Sequence, residues 1–246
     1  MRSEKANDGV SGAEHLARRA ARHRLFLDSA DSDACERWLP TGILHGVTTN
    51  PTILARAGLR SDIATLTRLA AFAFERGAAE FQAQVWGGTR ERYERTGRQI
   101  AALDPRMVVK VPMTEPGLAA ARALVGDGVR VTMTAVLDAS QALVAAALGT
   151  DYAAPYHGRI GDAGRDADAV IADMLRIVGT AEEPRTRLLV ASVRSAEIAT
   201  RLAAAGCDTL TLSPAVLEAM VVREDSEAAT ALFESDASDD SSGSTR

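Results

Sequence analysis

The sequence predicts an α/β protein that folds as a single (β/α)8 TIM barrel. Short apolar, β-like runs alternate with longer helical stretches along most of the 246 residues. Such alternation is typical of parallel βαβ units. Eight β-like runs are present, and right-handed crossovers repeated eight times close a sheet on itself. A length near 250 residues is also usual for one such barrel, so a second domain is not required.

The β-like runs lie at residues 25–27, 46–49, 81–85, 107–111, 129–134, 152–155, 188–191 and 209–212. Helices are predicted between them, for example over residues 115–125, 139–148 and 195–205. Gly149 and Gly206 directly follow two of these stretches and are predicted to end them.

The ends of the chain differ in composition from the predicted barrel. Residues 1–23 are charged and Ala-rich, and we expect a flexible N-terminal extension that is helical over residues 14–22. The barrel then occupies residues 24–234 and ends in a short C-terminal helix over residues 226–233. Residues 235–246 are rich in Ser and Asp, and we expect them to be a disordered tail.

Composition argues against several classes of protein. A net charge of −5, a pI of about 5.5 and 4% aromatic residues argue against nucleic-acid binding. No apolar run is long enough to span a membrane. Cys35 and Cys207 lie far apart and fit a reducing cytosol, so we expect a cytoplasmic protein. The histidines have no zinc-ligand spacing, and no glycine-rich nucleotide-binding fingerprint is complete.

The distribution of lysine singles out one residue. The chain has 28 basic residues, but only Lys5 and Lys110 are lysines. Lys110 lies inside the apolar run of residues 107–112, where a charge is unfavourable. Arginine stays protonated, whereas a desolvated lysine can lose its proton and attack a carbonyl to form a Schiff base. The pattern indicates covalent carbonyl chemistry at Lys110; the alternative is a strand-end lysine whose ammonium reaches water.

Polar side chains end seven of the eight β-like runs. A single polar residue at such a place is often a helix cap or turn former, and Asn50 before Pro51 fits that role. In active barrels, however, the chemistry lies at the carboxyl ends of the strands. We therefore expect one site formed by Asp28, Thr48, Thr49, Asn50, Gln84, Lys110, Thr134, Tyr156, Ser192 and Arg194.

Several of these segments resemble motifs of the transaldolase family. They are Leu-Phe-Leu-Asp-Ser-Ala at 25–30, Gly-Val-Thr-Thr-Asn-Pro-Thr at 46–52, Val-Lys-Val-Pro-Met-Thr at 109–114, Ala-Ala-Pro-Tyr at 153–156 and Ala-Ser-Val-Arg at 191–194. The order and spacing are also similar, and the resemblance extends over residues 25–220. It implies a Schiff-base enzyme that acts on ketose phosphates, needs no metal or organic cofactor, and assembles as a homo-oligomer.

Two positions bear on the branch of that family. Transaldolases carry a glutamate at the third strand end and commonly a phenylalanine at the sixth, where this chain has Gln84 and Tyr156. The Gln and Tyr pair resembles the fructose-6-phosphate aldolase branch. A glutamine can orient a water but cannot exchange a proton at neutral pH, whereas a phenol can hold and relay one. The resemblance therefore implies an aldolase that releases dihydroxyacetone.

The resemblance also implies a role for each site residue. Lys110 would carry the iminium, and Tyr156 would be the general acid/base, acting through a water held by Gln84 and Thr134. The three-carbon fragment and the phosphate would be bound by Asp28, Asn50, Thr48, Ser192, Arg159 and Arg194. Guanidinium groups suit phosphate recognition, although each arginine could instead form a surface ion pair.

Two other functions remain open from the sequence. One is a transaldolase, which would transfer the dihydroxyacetone unit instead of releasing it. The other is a catalytically silent barrel that binds sugar phosphates. Two departures from the family pattern leave substrate preference open: the segment 161–166 lacks a double glycine, and Leu137 stands where the aldolase branch often has an aromatic ring.

Overall fold

The computed structural model describes residues 23–180 and 186–240. Eight parallel strands form a closed barrel in sequence order, and β8 pairs with β1. This topology confirms the predicted (β/α)8 barrel. The strands are β1 Arg24–Asp28, β2 Leu44–Thr48, β3 Glu80–Gln84, β4 Met107–Pro112, β5 Val131–Val136, β6 Tyr152–Pro155, β7 Arg187–Val193 and β8 Thr209–Leu212.

Helices cover the outside of the barrel. They are α1 Ser32–Trp38, α2 Pro51–Arg56, α3 Ile63–Glu75, α4 Arg90–Ala101, α5 Glu115–Gly126, α6 Ala139–Leu148, α7 His157–Asp162, α8 Ala167–Val178, α9 Ala196–Ala204, α10 Pro214–Val221 and α11 Glu224–Asp240, with a 3-10 turn at Leu39–Thr41. Most of them begin at an Asp, Asn, Ser or Thr whose side chain accepts a backbone N–H of the first turn. Gly149 and Gly206 adopt positive φ after α6 and α9, which confirms the two predicted helix ends.

The C-terminal helix is longer than predicted. We expected a helix over residues 226–233 followed by a disordered tail, but α11 extends from Glu224 to Asp240. Glu224, Asp225 and Glu227 lie in its first turn, where acidic side chains favour a helix. The Ala-rich segment that follows has high helix propensity. Residues 241–246 and the predicted N-terminal extension up to residue 22 lie outside the described residues.

The core has two layers because alternate residues of a strand face opposite sides of the sheet. Leu27 and Val109 belong to the large apolar layer between the sheet and the helices. Their neighbours Phe26 and Val108 face the inside of the barrel. There they form a smaller cluster with Tyr152, Ala154 and Leu189. The inside of the barrel is therefore filled by side chains, and a ligand can enter only at an end.

The amino-terminal end of the barrel is closed by a buried charge network around Glu80. Its Oε1 accepts hydrogen bonds from Tyr152, at 2.6 Å, and from His45, at 2.6 Å. Arg130 lies 2.6 Å from Oε2, and Arg24 lies 3.4 Å from Oε1. Burial alone would raise the pKa of Glu80, but the hydrogen bonds from His45 and Tyr152 and the charge of Arg130 outweigh it, so the pKa lies below its ordinary value.

We expect Glu80→Gln to destabilise the barrel by about 1.5–3 kcal/mol at pH 7, because the buried carboxylate accepts hydrogen bonds and pairs with the partly exposed Arg24 and Arg130, which an amide cannot replace. A carboxyl whose pKa is depressed by folding contributes stability above its ordinary pKa of about 4.3, and this is lost as the pH falls through the folded value. The difference between the two proteins should therefore shrink below about pH 4. Urea unfolding from pH 3 to 8 measures it.

Glu218→Gln is the matched control for this prediction. Glu218 pairs with Arg37 at 2.8 Å, but both side chains are about half exposed. Removing such a surface pair should change stability by no more than about 1 kcal/mol. Equal effects of the two substitutions would show that the Glu80 network does not stabilise the fold.

Candidate active site

A cavity of about 750 Å³ opens at the carboxyl-terminal end of the barrel. Strand ends and the first turns of the following helices line it, as expected for the functional end of this fold. Eight of the predicted site residues, including Arg159, line it directly, and several further residues complete its wall. The lining residues are Asp28, Asn50, Pro51, Thr52, Ile53, Arg56, Gln84, Lys110, Tyr156, Arg159, Asp162, Ala191, Ser192 and Arg194.

Lys110 occupies the floor of this cavity. It lies on β4 with its strand partner Gln84 beside it on β3, and only 2% of its surface is exposed. Among the described residues it has no hydrogen-bond or ion-pair partner. A buried ammonium without a counter-charge is unfavourable, and a structural lysine would have a partner. The placement fits an amine that is held for reaction in the cavity.

Tyr156 faces the same cavity from the end of β6. Its hydroxyl lies 2.8 Å from the hydroxyl of Thr134 on β5. Thr134 is fully buried and does not line the cavity, so it orients the phenol from behind. The side chain of Gln84 has no hydrogen-bond partner among the described residues, so its amide can bind a water or a substrate hydroxyl.

Asp28 is oriented by a chain of hydroxyl groups. Thr48 donates to Asp28 Oδ1 at 2.5 Å, and Thr211 Oγ1 lies 2.6 Å from Thr48 Oγ1. A hydroxyl can donate only one hydrogen bond. Thr48 donates its hydrogen bond to the carboxylate, so Thr211 is the donor in the contact with Thr48. Thr48 is fully buried and does not line the cavity. It holds Asp28 in place, whereas the sequence suggested direct contact with substrate.

Asn50 combines a structural role with a place in the site. Its Oδ1 accepts the backbone N–H of Ile53 at 3.0 Å and so caps α2. The cap fixes the side chain and leaves its NH₂ group free to donate a hydrogen bond into the cavity. Thr49, in contrast, is fully buried and does not line the cavity, and its hydroxyl has no partner among the described residues.

Two strained residues lie at this end of the barrel. Ala135 and Ser192 adopt left-handed backbone conformations, with φ of 58° and 57°. Each coincides with a register shift, one in β5 between Thr134 and Val136 and the other in β7 between Val190 and Val193. Such conformations cost about 1–3 kcal/mol and are concentrated at functional sites. Here one irregularity directly follows Thr134, which contacts Tyr156, and the other includes Ser192, which lines the cavity.

The two predicted phosphate-binding arginines differ in their surroundings. Arg194 forms a bidentate ion pair with Asp162, with N–O distances of 2.7 and 2.5 Å. The Arg194 guanidinium lowers the pKa of the Asp162 carboxyl. Arg159 has no carboxylate partner among the described residues, and its guanidinium carbon lies 5.9 Å from the Tyr156 ring centroid. Arg159 is therefore the more available cation at this side of the cavity.

Arg56 and Asp162 also line the cavity, although the sequence did not single them out. Asp162 lies three residues after Arg159, on the same face of α7, and this spacing could have indicated it. Arg56 ends α2, the helix that Asn50 caps, and has no ion-pair partner among the described residues. It also lines a second cavity of about 610 Å³ beside Asp28, which adjoins the first.

The cysteines are poor candidates for the nucleophile. Burial raises the pKa of Cys35 to about 11 and that of Cys207 to about 12, so both thiols stay protonated at neutral pH. Within residues 23–180 and 186–240, no group of three His, Cys, Asp or Glu side chains is arranged to bind a metal ion. None of the helices in these ranges is long and apolar enough to cross a membrane.

Comparison with known proteins gives a consistent result. Residues 25–243 match the protein family described as Transaldolase/Fructose-6-phosphate aldolase. The chain is 35% identical over 194 residues to a probable transaldolase of Caulobacter sp. (strain K31), covering 78% of this chain and 86% of the relative. It is 34% identical over 202 residues to a probable transaldolase of Thermus thermophilus, covering 80% of this chain and 90% of the relative.

Proposed function

Because the chain belongs to the transaldolase/fructose-6-phosphate aldolase family, we propose that it is a Schiff-base aldolase acting on a ketose phosphate such as fructose 6-phosphate. One observation carries the proposal. Lys110 is a buried lysine with no partner among the described residues, and it lines an open cavity beside Gln84 and Tyr156. A side chain in these surroundings is suited to covalent chemistry with a carbonyl.

The reaction begins at Lys110. Its neutral Nζ attacks the ketose carbonyl to give a carbinolamine, and loss of water gives an iminium. The iminium withdraws electrons, so removal of the proton from the hydroxyl on the β carbon breaks the bond between the α and β carbons. The β carbon leaves as an aldehyde. A dihydroxyacetone enamine then remains on the lysine. In an aldolase this enamine takes up a proton, and hydrolysis of the iminium releases dihydroxyacetone.

Tyr156 is the proposed general acid/base for cleavage of the C–C bond and for protonation of the enamine. Its hydroxyl is held by Thr134 at 2.8 Å and lies at the same cavity as Lys110. Gln84 is adjacent to Lys110 and has a free amide, so it can hold the water through which the proton moves. A glutamine has no proton to exchange at neutral pH, so the phenol is the group proposed to transfer the proton.

The other side chains are proposed to bind the substrate. Asp28 accepts, and Asn50 donates, hydrogen bonds to hydroxyls of the three-carbon fragment, and Ser192 completes that pocket. Arg159 binds the phosphate, and Arg194 assists it while paired with Asp162. The substrate thus lies with its carbonyl at Lys110 and its phosphate toward β6 and β7.

A second candidate function is transfer of the dihydroxyacetone unit to another aldehyde. The similar proteins of Caulobacter and Thermus are named probable transaldolases, and this favours transfer. Gln84 and Tyr156 favour release. The two activities differ only in the fate of the enamine, so a coupled assay with fructose 6-phosphate, with and without erythrose 4-phosphate, separates them.

A catalytically silent sugar-phosphate-binding barrel is the third candidate. Borohydride reduction in the presence of dihydroxyacetone, followed by peptide mass spectrometry, distinguishes it from both enzymes. The proposed function requires a reduced adduct on the peptide that contains Lys110. A silent barrel gives no such adduct.

Phosphate recognition gives a separate prediction. We expect Arg159→Ala to raise KM for phosphorylated substrates about tenfold to a hundredfold, because a charge-assisted contact to phosphate is lost. KM for dihydroxyacetone should change little. Arg194→Ala should have a smaller effect, since Asp162 already shares the charge of Arg194. Steady-state kinetics with glyceraldehyde 3-phosphate and with glyceraldehyde as acceptors measure the difference.

Arg122→Ala serves as the control for both arginines. Arg122 is an exposed residue of α5 without an ion-pair partner among the described residues and lies outside both cavities. Its loss removes one positive charge without touching the proposed phosphate site. If Arg159→Ala affects phosphorylated and free substrates equally, Arg159 does not bind the phosphate.

A further inference from the structure

Two residues of the proposed reaction lie where β6 ends and α7 begins. Tyr156 precedes the helix and Arg159 lies within it, and both line the cavity. His157 lies between them in sequence but does not line the cavity. Only 7% of its surface is exposed, and its Nε2 lies 2.7 Å from Oδ1 of Asp168 on α8.

Asp168 also forms a hydrogen bond with a residue of a third helix. The other oxygen of Asp168 accepts a hydrogen bond from Nε of Arg201 on α9 at 3.1 Å. The hydrogen bond from His157 and the guanidinium of Arg201 both lower the pKa of Asp168. His157, Asp168 and Arg201 therefore form one hydrogen-bonded chain, here called the α7 tether, which links three consecutive helices.

Helix α7 is short, and backbone contacts of Tyr156 hold its start: the Tyr156 N–H donates to the Val136 carbonyl at 3.1 Å, and Tyr156 forms a β-bridge with Ala191. The helix has six residues, and its N-cap residue Tyr156 makes no capping hydrogen bond with its side chain. The α7 tether adds a side-chain link from this helix to α8.

The second residue of α7, Gly158, packs closely on β7, since a Cβ there would lie 2.5 Å from Arg194 Nε and 2.8 Å from the Ser192 carbonyl oxygen. Because Gly158 lies so close to Ser192 and Arg194, the first turn of α7 can move little without a clash.

The imidazole acts as a donor in this tether. Asp168 is ionised and can only accept, so Nε2 of His157 carries the proton. Nδ1 is buried and has no partner among the described residues.

We propose that His157, with Asp168 and Arg201, is a positioning residue that holds the phenol of Tyr156 against Thr134 and keeps Arg159 at the phosphate end of the cavity. This inference rests on the proposed function, because Tyr156 and Arg159 matter only in that reaction. His157 itself contacts no reacting atom. Lys110 lies on β4 and does not depend on the tether, so iminium formation should not require it.

The test compares Asp168→Ala and His157→Leu with Asp173→Ala. Asp173 is an exposed residue of the same helix and pairs with Arg176, so it controls for the loss of an aspartate from α8. We expect both tether variants to lose about tenfold to a hundredfold in turnover, the range for a small misplacement of a reacting group. KM should rise for phosphorylated acceptors more than for free ones, and the rate of borohydride trapping at Lys110 should stay unchanged.

His157→Gln is the rescue variant, since its amide can donate to Asp168 as the imidazole does. We expect turnover within about threefold of the wild type. Wild-type kinetics in Asp168→Ala, or trapping and turnover that fall together, would overturn the inference. The second result would show general damage to the fold.

A crystal structure of Asp168→Ala tests the tether without any turnover. We expect the Tyr156 hydroxyl to have left Thr134, and an intact contact would refute the tether. Failure of the proposed function has a different signature. In that case, wild-type protein gives no adduct at Lys110 and no cleavage or transfer, whatever the structure of the variant shows.

Discussion

Lys110→Arg should reduce turnover by about four orders of magnitude or more, because a guanidinium cannot form an iminium. Arginine is the sharpest substitution, since it keeps the positive charge that any structural role would need. Lys110 has no hydrogen-bond or ion-pair partner to lose among the described residues, and the cavity above it can accept a longer side chain. A guanidinium stays protonated and has no counter-charge at this buried position, so we expect Lys110→Arg to lower the melting temperature. Lys110→Met removes the amine without adding a permanent charge, so its melting temperature should stay close to that of the wild type.

The small number of lysines makes the covalent step easy to locate. Only Lys5 and Lys110 carry an ε-amino group, so borohydride reduction with dihydroxyacetone can label just two lysine side chains. The adduct should persist in Lys5→Arg and disappear in Lys110→Arg and Lys110→Met. Appreciable turnover of the folded Lys110→Arg variant would show that the reaction does not proceed through this lysine.

The fold was predictable because each strand leaves a local signal. The strands are short apolar runs bounded by polar residues, and every predicted run overlaps an observed strand. Runs 25–27, 81–85, 107–111, 152–155 and 209–212 match the observed strands within one residue at each end. The order of the strands in the closed barrel follows from repeated right-handed crossovers. The extent of α11 was less predictable, because its Ser and Asp residues favour both a disordered tail and a helix start.

The sequence predicted which residues lie at the strand ends, but it did not predict which of their side chains reach the cavity. The rule that barrels act at the carboxyl ends of their strands identifies Asp28, Gln84, Lys110 and Tyr156, and all four line one cavity. Thr48 obeys the same rule and yet lies behind Asp28. Whether the Thr48 side chain reaches the cavity depends on the tilt and stagger of neighbouring strands and on its hydrogen bonds to other hydroxyls. These features cannot be read from a single sequence.

Side-chain contacts between different elements were not predictable at all. The ion pair of Arg194 with Asp162 and the hydrogen bond of His157 to Asp168 join residues on different elements, and no sequence spacing marks them. The same holds for the Glu80 network, whose members come from four strands and the residue before β5. Both kinds of contact involve polar residues that the alternating pattern alone would assign to the surface.

Tyr156→Phe should lower aldol cleavage by about a hundredfold or more, within the usual range for the loss of a general acid/base. The change removes only the hydroxyl that lies 2.8 Å from Thr134 and keeps the ring. Iminium formation should survive, so trapping of dihydroxyacetone at Lys110 persists in the variant. Thr134→Val is the companion change. It removes the group that orients the phenol but not the phenol itself, so its loss should be smaller.

Adding Gln84→Glu to Tyr156→Phe should shift the enzyme from release toward transfer. Gln84 and Lys110 are strand partners, so a carboxylate at residue 84 would stand beside the iminium and could exchange the proton that the phenol no longer handles. The enamine would then persist until an aldehyde arrives. The measurement is the ratio of dihydroxyacetone released to sedoheptulose 7-phosphate formed from fructose 6-phosphate and erythrose 4-phosphate. Wild-type protein that transfers readily but releases no dihydroxyacetone would place it with the transaldolases, and Gln84 and Tyr156 would then not determine the fate of the enamine.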